Sequence, residues 1–85
     1  MTLLYFSKIN ELEKCIKILS VREFAKNKPQ LINFRGNNDW CCLHYASLNG
    51  NTKLVDLLLC NEAIIDAETS SKLTPLMIAC QKYSF

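Results

Sequence analysis

The sequence predicts an all-α fold, a solenoid of stacked helix-turn-helix pairs joined by hairpin loops. Three observations point there. The chain matches itself when it is slid so that Leu43 falls on Leu76. Its apolar residues recur at offsets of three and four, the spacing of one helix face. Helix caps and breakers (Ser20, Pro29, Gly50, Thr74 and Pro75) fall between the apolar runs. A period of this length marks units that cannot bury their apolar faces alone and therefore stack.

The same shift places Ala46 on Ala79 and Asn33 on Asp66. Residues 41–46 then lie over residues 74–79. The first unit aligns more weakly, with Val21 on Leu54, Phe24 on Leu57, and Leu31 and Ile32 on Ile64 and Ile65. Residues 1–85 form one domain, divided into units of approximately 4–36, 37–69 and an incomplete 70–85.

In the first unit, Ile9, Leu12, Ile16 and Leu19 form one apolar helical stripe, which Ser20 stops. Ser20 followed by Glu23 has capping-box spacing, so a second helix is expected to start there and carry Val21, Phe24 and Ala25 inward. Pro29 is expected to end it, leaving Leu31, Ile32 and Asn33 as a short extended piece.

The second unit opens with a helix over about residues 41–48. It ends at Asn49 and Gly50, where glycine can take the left-handed conformation that closes a helix. Asn51 or Thr52 caps the next helix, which carries Leu54, Val55, Leu57, Leu58 and Leu59. Each such side chain gains about 1.5–3 kcal/mol on full burial, so this run is the expected main anchor of the stack.

In the third unit Thr74 caps a helix and Pro75 sits in its first turn, where a missing N–H costs nothing. That helix runs toward Gln81 and Lys82. Its partner helix is absent from the sequence, which suggests a fragment or truncated product. Leu76 and Ile78 are then expected to leave apolar surface open, to be covered by further repeats, a second copy or a partner.

Composition narrows the function classes. With 49% hydrophobic residues the chain is not compositionally disordered. No run approaches the ~20 apolar residues of a membrane span, so no membrane insertion is expected. The apolar start is broken by Ser7 and Lys8, too early for a secretory signal. Five cysteines without such a signal read as reduced thiols of a cytoplasmic or nuclear protein. Residues 1–35 carry a net charge of +4 and residues 36–85 a net −2. The basic residues are spread along helical faces, so they read as solvated surface and nucleic acid is not an expected partner.

Leu43, His44, Tyr45 and Ala46, then Asn49, Gly50 and Asn51, Leu57 to Leu59, Ala63, Asp66 and Ala67, and Thr74, Pro75, Leu76 and Ala79 occur in this order. Together they resemble the ankyrin repeat, whose pattern runs Thr-Pro-Leu-His-x-Ala, a glycine turn, a Val/Leu-rich helix, Gly-Ala and an Asn-Ala hairpin. The resemblance covers about residues 20–82. It implies that Leu43 and Leu76 point into the core and that Ala46 and Ala79 are small because paired helices approach there.

The sequence also departs from that pattern. Threonine and histidine of the motif never occur together: Cys41 accompanies His44, and Thr74 accompanies Met77. Asp39 and Lys72 replace the hairpin-tip glycine, Glu62 replaces the glycine of Gly-Ala, and Tyr83 stands where the third unit would have its own. A left-handed Glu62 costs about 1 kcal/mol or more unless the turn adjusts.

The resemblance implies a protein–protein interaction module and no enzyme. Its binding surface would be the hairpin tips and the concave side of each first helix. On this sequence those positions are Asn37, Asn38, Trp40, Leu48 and Asn49, then Ser70, Ser71, Leu73, Gln81 and Lys82. Trp40 is the expected anchor, against the alternative that it simply packs on the helix below. The alternative role is a regulatory or targeting segment of a larger membrane protein or enzyme. No metal or cofactor is expected. Cys41 and Cys42 are adjacent, an awkward geometry for one zinc, and His44 fills a structural slot of the motif. Cys41, near a helix start, is a candidate for a lowered thiol pKa and raised reactivity. No nucleophile elbow is present, and two glycines cannot build a phosphate loop.

Overall fold

The computed structural model describes residues 3–20 and 28–82. The regular elements among them are all helical: α1 (Leu3–Lys8), α2 (Leu12–Leu19), α3 (Lys28–Ile32), a 3-10 turn at Asn37–Asp39, α4 (Cys42–Asn49), α5 (Thr52–Cys60) and α6 (Pro75–Lys82). Helix α1 packs on α2 and α4, α4 packs on α5 and α6, and α2 packs on α5. The layers therefore run α1/α2, α4/α5, α6. The resulting body is elongated, 39 × 22 × 21 Å.

The turns inside the first two pairs share one design. Gly50 closes α4 in the left-handed region (φ 67°), and the Asn51 N–H reaches back to the Ala46 carbonyl at 3.2 Å. Asn10 closes α1 with φ 64°, and the Glu11 N–H reaches the Phe6 carbonyl at 2.8 Å. These are helix-closing left-handed turns, which glycine and asparagine tolerate. Asn51 then caps α5 as expected, its Oδ1 accepting from the Leu54 N–H at 3.1 Å.

The step along the chain from Asn10 to Gly50 is longer than the step from Leu43 to Leu76. This corrects the reading of the first unit. Its second helix is α2, which packs on α5. The extra residues fall between α2 and Asn33. Val21, Glu23, Phe24 and Ala25 lie outside the described residues. The Ser20 hydroxyl donates backward to the Ile16 carbonyl at 2.8 Å, closing α2. Ile9 falls in the turn and is exposed, and so is Ile16. The first layer's core is Leu3, Phe6, Cys15 and Leu19 instead. Pro29 lies within α3, and the helix it was expected to end falls on residues outside those described. Leu31 and Ile32 finish that helix and are not extended.

The core runs through Ile32, Leu43, Ala46, Leu54 and Leu58, all essentially inaccessible. Leu54 and Leu58, four apart on α5, face α4. Leu57, Leu59 and Val55 are only partly buried against the same core. Polar ties join the layers: Asn49 Nδ2 donates to the Ser7 carbonyl at 3.1 Å, and Asn51 Nδ2 donates to Asn10 Oδ1 at 2.9 Å. Thr74 caps α6, its Oγ1 accepting from the Met77 N–H at 3.3 Å.

Leu76 is 72% exposed and leaves apolar surface open, as expected, although its counterpart Leu43 is buried. Ile78, expected to be open, is buried. Helix α6 turns Ile78 and Pro75 inward and leaves Leu76 and Met77 facing out.

Candidate protein-binding surface

Two hairpins connect the layers, and their backbone hydrogen bonds match position for position. In the first, the Gly36 N–H donates to the Trp40 carbonyl at 2.9 Å and the Asp39 N–H to the Gly36 carbonyl at 3.1 Å. In the second, one repeat further on, the Thr69 N–H donates to the Leu73 carbonyl at 2.9 Å and the Lys72 N–H to the Thr69 carbonyl at 2.8 Å. Asp39 (φ 60°) and Lys72 (φ 64°) both take the left-handed conformation. That conformation favours glycine, so each side chain is held there at a cost.

The hairpins are tied side by side. The Ser70 N–H donates to the Asn38 carbonyl at 2.9 Å, from one tip to the next. Arg35 Nη1 donates to the Glu68 carbonyl and, at 3.4 Å, to the Asp39 carbonyl. At the base, Asn33 Nδ2 donates to the Glu62 carbonyl at 3.1 Å while its Oδ1 accepts from the Ile64 N–H at 2.8 Å. These two hydrogen bonds hold Glu62 at φ 73°, so the turn does not adjust to avoid the left-handed strain. At Gly36 a Cβ would lie 2.6 Å from Leu4 Cδ2, so the Leu4 side chain would have to shift to admit one.

His44 locks the second hairpin to α4. Its Nε2 donates to the carbonyls of Ala67 (2.8 Å) and Leu73 (3.1 Å), and Nδ1 accepts from the Cys41 N–H at 3.0 Å. Cys41 Sγ stands 3.1 Å from the same Nδ1, so the thiol occupies the place of the motif's threonine hydroxyl. Burial pushes the Cys41 thiol up, but its hydrogen bonds with His44 outweigh this and hold it below the ordinary thiol range. Burial lowers His44, yet the Cys41 contact and the two carbonyls leave it raised overall. Cys41 is 1% exposed, so a reagent has no path to it in the folded chain and the reactive-thiol reading is not supported. Burial drives the neighbouring Cys42 thiol up to about 12. Among the described residues no three His, Cys, Asp or Glu side chains gather as a metal would need. No described helix is long and apolar enough to cross a membrane.

The structure brings most of the sequence-derived positions together. Asn37, Asn38, Ser70 and Ser71 line one row along the tied tips, and all four are exposed. Trp40 and Leu73 occupy matching positions at the hairpin bases, both half-buried. The Trp40 ring leans on Tyr45 (4.9 Å between centroids) and His44 (5.7 Å), so one face is packed and the rest is presented. Gln81 and Lys82 are exposed in the last turn of α6, and Leu48 is half-buried on α4. Asn49 is half-buried at the end of α4, and its amide also closes the end of α1. Sequence reasoning missed Tyr45 as the platform under Trp40. The signal was its place between His44 and Ala46, at the variable position of the motif.

A family description, ankyrin repeats (3 copies), matches residues 3–85. The chain belongs to the ankyrin-repeat family. Among the curated proteins, nothing matches it. Ankyrin repeats are in general protein–protein interaction modules, and the layered helix pairs described above are their helix-hairpin solenoid. The match extends to residue 3, so α1 and α2 form an ankyrin pair despite their weak sequence signal.

Proposed function

We propose that this ankyrin-repeat chain binds another protein through its hairpin tips and the concave side of α4 and α6. The observation that carries this reading is the Ser70 to Asn38 bond, which sets two tips in line and makes one surface of them. Asn37, Asn38, Ser70 and Ser71 offer donors and acceptors along that row. Trp40, half-buried on Tyr45, supplies a large apolar contact whose orientation is fixed before binding, which lowers the ordering cost. Aromatic anchors of this kind dominate interface energies, and truncating one costs about 2 kcal/mol or more. No catalytic arrangement enters this reading.

The test is affinity capture from a lysate of the source organism with the wild-type chain and Trp40→Ala, both checked for helix content. Loss of a captured protein with Trp40→Ala, while the fold survives, supports the reading. An unchanged captured set and affinity would remove Trp40 from the surface.

A further inference from the structure

We propose that Asn49 is a modification site: it deamidates when α1 lifts from α4, and the product keeps the first layer from docking again. The chemistry needs water and no enzyme.

Asn49 and Gly50 form the chain's single Asn-Gly pair. Glycine has no Cβ, so its backbone nitrogen can approach a side-chain carbonyl carbon closely. The Gly50 nitrogen attacks Asn49 Cγ, and the new N–C bond closes a five-membered succinimide. The Cγ–Nδ2 bond breaks, and ammonia leaves with the proton of the Gly50 N–H. Water then opens the ring to aspartate or isoaspartate. The balance is one water consumed and one ammonia released, with no change of oxidation state.

The folded chain holds both reacting groups. The Gly50 N–H is committed to the Ser47 carbonyl at 3.2 Å. Asn49 Nδ2, the leaving group, donates to the carbonyls of Ser7 (3.1 Å) and Lys8 (3.4 Å) at the end of α1. Ring closure turns the amide away from those carbonyls, so the reaction follows separation of α1 from α4.

The product does not fit back. A carboxylate has no N–H to donate, so it meets the Ser7 and Lys8 carbonyls as acceptor against acceptors. It also sets a negative charge in the last turn of α4, the end where the helix dipole favours a cation. Isoaspartate adds a methylene to the backbone beside the turn where Gly50 takes φ 67° and the Asn51 N–H bonds back to Ala46. Each change acts where the first two layers meet, so one opening event leaves a lasting mark.

The experiment follows Asn49 conversion in the full chain by peptide mapping and mass spectrometry at mildly alkaline pH, folded and in urea. Conversion is expected to run roughly ten- to a hundredfold slower in the folded chain, the protection that two or three hydrogen bonds provide. Leu3→Ala, which loosens the buried side of α1, should raise the folded rate toward the unfolded one. In Asn49→Asp, amide exchange at Ile9 and Glu11, whose N–H groups close α1, should run roughly tenfold faster than in wild type. Where either variant fails to fold, wild-type conversion in urea below the unfolding midpoint reads the same opening and should rise with urea. Equal conversion folded and unfolded, a rate that Leu3→Ala or mild urea leaves unchanged, or unaltered exchange in Asn49→Asp each overturns the proposal.

Discussion

Asp39 and Lys72 share one left-handed backbone conformation at the same point of successive hairpins, although their side chains carry opposite charges. The hairpin geometry is therefore set by the backbone and its hydrogen bonds, not by the tip side chains. Glu62 bears the same strain at the end of α5 (φ 73°). Asp39→Gly, Lys72→Gly and Glu62→Gly are each expected to stabilise the chain. Relief of a left-handed side chain gives about 1–2 kcal/mol, of which the greater freedom of glycine when unfolded removes part. Urea denaturation should show each midpoint rising. A fall at Lys72→Gly would mean that its side chain makes a contact worth more than the strain.

Leu58 and Leu76 make a contrasting pair. Leu58 is fully buried on α5, and Leu76 lies open on α6. Leu58→Ala is expected to cost about 2–5 kcal/mol through lost transfer energy and a residual cavity. Leu76→Ala should fall within about 0.5 kcal/mol of wild type, as exposed substitutions do. Equal costs in denaturation would show Leu76 covered in solution.

Alkaline stability should depend on Cys42. Its thiol is held protonated to about 12 in the folded chain by burial, against about 8.5 in an unfolded one. The folded pKa is the higher, so the folded state keeps a proton that the unfolded state releases. Stability from this group is complete below about pH 8.5 and is lost as pH climbs toward 12, at about 1.4 kcal/mol per pH unit. Cys42→Ala should flatten that decline in denaturation midpoints measured from about pH 8 to 11 under reducing conditions. A decline as steep as wild type would contradict the assignment.

Thiol reactivity should follow access. Cys60 and Cys80 are exposed, while Cys15, Cys41 and Cys42 are buried. Timed alkylation with peptide mapping should label Cys60 and Cys80 first and Cys41 only at the rate of chain opening. In denaturant all five should react within a narrow range. Early labelling of Cys41 would show that the His44 pair opens readily.

The second and third units were legible in the sequence because their signals are local. Gly50, Asn51, Thr74 and Pro75 do in the structure what their chemistry predicts, and the repeat offset survives as hydrogen-bonded hairpins at residues 36–40 and 69–73. The first unit was misread because Asn10, not a glycine, closes α1, and because the extra residues between α2 and Asn33 break the period. The apolar stripe drawn through Ile9 and Ile16 crossed that turn. Ile78 was expected to be open together with Leu76, but which side of α6 turns inward depends on its packing against α4, which the repeat pattern does not record. The bond from Asn49 to the Ser7 carbonyl joins distant parts of the chain, which no local pattern reveals. The Trp40 and Tyr45 contact depends on ring orientation, which sequence spacing leaves open.

Amide hydrogen exchange at Ser70 tests most directly whether the two hairpins form one surface. Its side chain is exposed, yet its N–H is committed to the Asn38 carbonyl of the neighbouring tip. Exchange slowed well below the rate of an unstructured serine is the predicted result, and Asn38→Pro, which disturbs the left-handed Asn38, should abolish it. Exchange at the unstructured rate in the wild-type chain would show the tips to be independent, and the shared binding surface would lose its physical basis.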